Sequence, residues 1–421
     1  MKILFDIMPL TTTVTGIGRV VINYLKYLSK VDKKNTYILY SLHPIDLQFK
    51  DFINKLGNNF IYEGGYFLNN NSCIKDTKFS IKKFFLKFFF KIAKLIFLKL
   101  VSLNISIINK LLIILIVIFF YRENNKLDKK DVDIIIITSP NFPLKLNLST
   151  KKMIVIVYDL VWKYYPETMD ILNKFIINNI ALDLIKKADK IITISESVKK
   201  ELTENLELKE EIIPIHLGVD KNIFYNAEKD KIEITKLKYN IKGKYLLSVS
   251  TLEPRKNLIT LLKAFSMLIK KYPEYLLVLT GRIGWGNDNY EKLIKQLNIE
   301  KNVIFTGYIP DEDLAPLYSG AEVFVYPSLY EGFGLPILEA MQCKTAVITS
   351  NTSSMPEVGG DACIYVNNPR DENELLEKII FLIENENIRE ELREKGIKRG
   401  SHFSWEKTAQ ELIKVINSFK I

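Results

Sequence analysis

Apolar residues along this chain alternate between two patterns. Uninterrupted runs at 2–7, 36–40, 133–138, 153–157 and 190–194 have the length and composition of buried strands. Between them, at 16–29, 171–187 and 196–206, apolar positions return at helical spacing, as on a helix with one buried face. The pattern then begins again. Strand-like runs at 245–249, 275–280, 303–305, 323–326 and 346–348 alternate with helical stretches at 258–271, 290–297, 336–341 and 372–384. Such alternation predicts parallel sheets covered by helices on both faces, and 421 residues exceed one ordinary core. The expected architecture is therefore α/β, with two doubly wound parallel-sheet domains at 1–220 and 221–402, joined through the polar stretch 220–244. Ligands of these sheets lie beyond the carboxyl ends of the strands, so the cleft between the domains is the expected site.

One segment departs from the scheme. In residues 78–122, Lys83, Lys87, Lys91 and Lys94 form a cationic stripe at helical spacing among Phe84, Phe85, Phe88, Phe89, Ile92, Leu95 and Ile96. A run without polar side chains follows from 111 to Tyr121; it is too short to span a bilayer, and its longer form from 100 contains Asn104, Asn109 and Lys110. The segment reads as a basic, aromatic-rich element lying in an anionic membrane interface, and the alternative is a buried helix pair. Charge supports its separateness: residues 75–130 hold 13 Lys/Arg against 3 Asp/Glu, while the chain's net charge is +10. Basicity confined to one segment argues against a nucleic-acid surface. Three scattered cysteines and three separated histidines predict neither a disulfide framework nor a zinc site. The N-terminus MKILFDIMPL reads as a first strand and not as a signal peptide, so the cytoplasmic face of a membrane is the expected location, with the protein peripheral or monotopic.

The candidate chemistry gathers where strands should give way to helices. YEGFGLPILE sets Glu331 and Glu339 eight positions apart across a glycine turn, with Pro336 suited to a first helical turn that would include Glu339. Glycines there let backbone N–H groups converge on an anion while the carboxylates accept bonds from hydroxyls. A sugar nucleotide combines both groups. Gly16 and Gly18 in TGIGR allow close backbone approach to a phosphate or sugar, or mark only a tight turn. Arg255 and Lys256 in EPRKN stand at a strand-to-helix junction where cations oppose the helix dipole, which favours a diphosphate ligand. Asp159 ends the run MIVIV and is either a carboxylate reaching the cleft or a turn cap. The turns GRIGWG and GYIP shape a pocket or merely turn the chain, and the acidic groups at 131–133 and 311–313 are better explained as structural, so no divalent metal and no cofactor are expected.

In order and wording these segments resemble the retaining GT-B glycosyltransferases called family 4, or glycosyl transferases group 1, above all from Ser248 to Val366 and more weakly at TGIGR, at SPNFPL and at TISESVKKEL. The resemblance implies the GT-B fold, two Rossmann-like domains with a C-terminal helix in 403–421 returning to the first. It implies that Arg255 and Lys256 bind the donor diphosphate and that Glu339 holds the ribose hydroxyls. Glu331 would contact the transferred sugar, with the backbone of Phe333, Gly334 and Leu335 beside sugar and phosphate, and Gly16 and Gly18 facing the donor. Many relatives have His-Asp where this chain has Tyr158-Asp159, so any imidazolium role is lost and Asp159 becomes the candidate for orienting the acceptor. Transfer of a hexose, mannose first, from GDP-mannose or a UDP-hexose to a glycan or lipid-linked saccharide is the expected reaction, in cell-surface polysaccharide synthesis. The alternatives are a GT-B sugar-nucleotide epimerase or an inactive membrane-bound scaffold; a dinucleotide-dependent dehydrogenase is disfavoured because no GxGxxG follows either first strand.

Overall fold

The computed structural model describes residues 1–11, 16–41, 45–63, 131–139, 152–169, 177–282, 284 and 290–419. The segment 78–122, SPNFPL beyond Ser139, and Ile283, Trp285 and Gly286 of GRIGWG lie outside them.

Each half of the chain builds one wholly parallel sheet. The first has β1 (Lys2–Asp6), β2 (Thr36–Tyr40), β3 (Phe60–Tyr62), β4 (Ile134–Ile137), β5 (Lys152–Val157), β6 (Lys190–Thr193) and β7 (Ile212–Pro214) in the order β3-β2-β1-β4-β5-β6-β7. The second orders β8 (Tyr245–Val249), β9 (Leu276–Thr280), β10 (Val303–Gly307), β11 (Val323–Tyr326), β12 (Val347–Ser350) and β13 (Cys363–Val366) as β10-β9-β8-β11-β12-β13. The central strands are apolar because both faces are covered: all four isoleucines of β4 are buried, as are the four residues of β11. The order in which successive strands are added reverses between β1 and β4 in the first sheet and between β8 and β11 in the second, which places a crevice at the carboxyl ends of those pairs.

Edge strands β3 and β7 have three residues each, too few to show a period in sequence. The stretch read as a linker contains the helix Lys229–Lys238, whose polar composition hides it, and the charged helix Glu386–Gly400 is hidden in the same way. The last helix, Trp405–Asn417, returns to the first sheet: Trp405 lies edge-on to Tyr24 of helix Gly16–Val31 with ring centroids 6.0 Å apart, and Leu412 and Ile416 are fully buried. The chain passes between domains at Gly218 and again at Ser404. There the two backbones touch so closely that a Cβ on Gly218 would stand 2.1 Å from the Trp405 nitrogen. Among the described residues no helix is long and apolar enough to cross a membrane.

Candidate functional site

The crevice of the second sheet collects the residues singled out in sequence. After β8 the chain makes the short turn Pro254–Lys256, Asn257 takes a left-handed conformation, and helix Leu258–Leu268 begins. Asn257 fixes this turn by donating from Nδ2 to the Pro327 carbonyl (3.0 Å) beyond β11. Arg255 and Lys256 thereby face the loop that carries Glu331. Lys256 Nζ lies 2.6 Å from Glu331 Oε1 and Arg255 2.8 Å from its Oε2, and Tyr326 and Ser328 also donate to Oε1 at 2.8 and 2.6 Å. A second arm of Arg255 meets Glu253 at 2.7 Å.

These charges are buried and balanced. Lys256 and Glu331 are each 8% exposed. Burial alone would raise the Glu331 carboxyl, but the Arg255 and Lys256 cations beside it hold it down to about 2. Burial and the neighbouring Arg255 pull the Lys256 ammonium below its ordinary value, against the carboxylates of Glu331 and Glu253. The sequence reading treats the two cations as free for a diphosphate. In the structure both already contact carboxylates, and Glu253, part of EPRKN, was overlooked as a counter-ion.

Glu339 has a different environment. It is the fifth residue of helix Leu335–Gln342, one residue past the first turn in which it was expected, because the helix begins at Leu335 and not at Pro336. Tyr318 donates to its Oε2 at 2.8 Å, and its Oε1 has no partner among the described residues. Burial raises its carboxyl, partly opposed by Arg19. Arg19 comes from the helix opened by Gly16 and reaches across the cleft to Asp311 at 2.5 Å. Sequence reasoning quoted both residues without assigning Arg19 a role and took Asp311 for a helix-start acid. Asp311 does begin helix Asp311–Ser319, and it also joins the domains.

The loop between the two glutamates is shaped by its glycines. Gly334 has φ +103°, left-handed backbone that favours glycine, just ahead of the helix. Ser354 Oγ lies 2.8 Å from both the Glu331 and Phe333 carbonyls, turning them away from the cleft. The N–H groups of Phe333, Gly334 and Leu335 make no bond among the described residues, an arrangement that suits an anion. The Phe333 ring faces away, against His216 and Phe403 at 6.0 and 5.9 Å. From the first domain, a Cβ on Gly16 would meet nothing within 4 Å, and Gly18 is buried in the first helical turn.

Asp159 stands at the end of β5 with its carboxylate accepting from Val161 N (3.1 Å), as the turn-cap reading has it, and burial raises its carboxyl against the pull of Arg255. It also lines a cavity of about 180 Å³ with Ile17, Tyr158, Trp162, Glu253 and Arg255. Tyr158, where the resemblance led to the expectation of a histidine in many relatives, turns into the first domain's core: it is 7% exposed and its hydroxyl is buried without a partner among the described residues.

A profile of the family described as glycosyl transferases group 1 matches residues 230–399. The chain is 34% identical over 240 residues to O-antigen chain mannosyltransferase B of Escherichia coli, covering 56% of this chain and 62% of that protein. It is 34% identical over 235 residues to the serotype-specific mannosyltransferase WbdA of Escherichia coli, covering 53% of this chain but 28% of that protein. Among solved structures, Anabaena HepE in complex with UDP and glucose superposes with TM-score 0.68 over 100% of both chains at 17% identity. The sucrose-phosphate synthase of Thermosynechococcus elongatus gives TM-score 0.69 over 99% of this chain and 98% of that one at 19% identity. Residues 230–399 are a glycosyl transferases group 1 domain, set in a chain of the GT-B fold.

Proposed function

We propose that the protein is a retaining glycosyltransferase that moves a hexose, mannose first, from a nucleotide diphosphate sugar to a hydroxyl of a glycan or lipid-linked saccharide. The observation that carries the reading is a partly buried Glu339 with an open Oε1, one loop away from the buried Arg255–Lys256–Glu331 cluster at the strand-order reversal of the second sheet. Glu339 is suited to ribose hydroxyls. The free N–H groups of 333–335, with Lys256 and Arg255, suit the diphosphate. Relatives named as O-antigen mannosyltransferases support GDP-mannose ahead of a UDP-hexose, and cell-surface polysaccharide assembly as the setting.

In the reaction the bond from the anomeric carbon to the diphosphate oxygen breaks, and the acceptor oxygen bonds to that carbon from the same face. The acceptor proton passes to the departing phosphate oxygen, and Arg255 and Lys256 stabilise the charge that develops there, without a divalent ion. Glu331 keeps the two cations in place, and its Oε2 is the oxygen with room for a sugar hydroxyl. Asp159 orients the acceptor.

A thermal-shift panel of nucleotide sugars in EDTA tests this, because a ligand that binds only the folded state raises its melting point. GDP-mannose is expected to give the largest rise, and Glu339→Ala to abolish it. A rise that survives in full in Glu339→Ala defeats the ribose role; no rise with any sugar nucleotide defeats the donor reading.

Residues 78–122 are the part of the sequence to which we assign the membrane surface. The purified chain is expected to float with anionic liposomes in a density gradient and to stay below with neutral ones. Failure to float with either removes the assignment.

A further inference from the structure

Tyr330 immediately precedes Glu331, yet its side chain belongs to the other domain. Its ring is 4% exposed and lies between Tyr164 and Tyr165 of the first domain, with centroids 5.7 and 5.8 Å away. Its hydroxyl accepts a hydrogen bond from Leu160 N at 2.9 Å and donates one to Glu201 Oε2 at 2.6 Å. Its carbonyl, meanwhile, accepts from Arg255 at 2.6 Å. A second cross-domain bond reinforces the placement, from the Tyr165 hydroxyl to the Leu329 carbonyl at 3.2 Å.

Leu160 is the residue after Asp159. One side chain therefore holds the backbone of the Asp159 turn, while the main chain of the same residue holds Arg255. Loose packing would not need the hydroxyl, since the ring alone fills the space between the two tyrosines. The hydroxyl uses both of its roles, acceptor and donor, on groups that only the first domain supplies.

We infer that Tyr330 is a positioning residue that locks the Asp159 turn of the first domain onto the Arg255–Glu331 cluster of the second, holding acceptor and donor in register. The inference rests on the glycosyltransferase reading above. It concerns alignment between two substrates, so its signature is a change in partition: water needs no alignment to intercept the donor, whereas an acceptor hydroxyl does.

The test uses the full chain with GDP-mannose as donor and octyl α-mannoside as acceptor, measuring transfer and donor hydrolysis in parallel. Tyr330→Phe keeps the ring and removes both hydroxyl bonds. Transfer is expected to fall about tenfold, with hydrolysis and GDP affinity by calorimetry each within about two-fold of the parent. Glu201→Leu removes the hydroxyl's acceptor from the opposite side and is expected to shift the ratio of transfer to hydrolysis in the same direction, which keeps the test open should Tyr330→Phe fold poorly. A ratio unchanged in the folded variants, whether both rates drop together or neither does, overturns the coupling and leaves the transferase reading intact. A parent that binds GDP but neither transfers nor hydrolyses overturns the transferase reading and the coupling with it.

Discussion

Glu331→Ala is expected to lower transfer by at least about 10²-fold and to cost about 3–5 kcal/mol of folding stability. Both effects follow from what the carboxylate neutralises. Lys256 is 8% exposed and touches the carboxylate at 2.6 Å; Arg255 touches it at 2.8 Å. Removing the anion leaves Lys256 buried beside another cation, and the hydroxyls of Tyr326 and Ser328 lose their acceptor. An uncompensated buried charge is among the costliest defects a fold can carry, far beyond the value of an exposed ion pair. On the diphosphate role proposed for Arg255 and Lys256, the turnover loss has a geometric origin, since both cations would leave the positions in which Glu331 holds them. Urea unfolding and a turnover assay check the two parts separately. Near-parental stability in the alanine variant would mean that the cluster is more hydrated than its burial implies.

Gly332→Ala is expected to remove transfer almost entirely while sparing nucleotide binding. A Cβ at this position would stand 1.8 Å from the Tyr158 carbonyl oxygen and 3.1 Å from Asp159 Cβ. The first obstacle is backbone, so no flexible side chain can swing away, and the Gly332 carbonyl is itself tied to Ser195 Oγ at 2.8 Å. The domains must separate to admit the methyl group, which pulls Asp159 away from the Arg255–Glu331 cluster. Forced insertion into a packed contact costs about 1–3 kcal/mol, and misplacing a reacting group by about 1 Å costs on the order of 10²-fold in rate. Glu339 and the helix Leu335–Gln342 lie wholly in the second domain, so GDP affinity by calorimetry should stay within a few-fold. Small-angle scattering is expected to show a more open chain. Parental turnover in this variant would show that the close approach at Gly332 is dispensable.

The layered plan was legible because buried parallel strands are apolar throughout: IIII in β4 and VFVY in β11 announce themselves without any knowledge of their neighbours. Arg255, Lys256, Glu331 and Glu339 stood out because glycine, proline and charge meet at strand ends. Their mutual arrangement was less accessible. That Glu331 neutralises both cations depends on β8 and β11 being neighbours, and sheet order is not a local property of sequence. Arg19, Asp311, Tyr330 and Glu201 were hidden for the same reason, since each finds its partner in the other domain, up to 292 positions away. The orientation of Tyr158 is set by packing among core residues, so the family position alone could not give it.

The return of helix Trp405–Asn417 to the first sheet has a consequence for how the protein is made. Tyr24, Leu412 and Ile416 share one core, yet Trp405, which covers Tyr24, is joined to the chain only after the whole second sheet. Translation at about 5–20 residues per second places an interval of roughly 10–40 s between the end of the first sheet and the arrival of its last helix. During that interval the part of helix Gly16–Val31 that the last helix covers, at Tyr24, is bare. Newly synthesised chains thus pass through a stage in which the younger domain can be complete and the older one cannot.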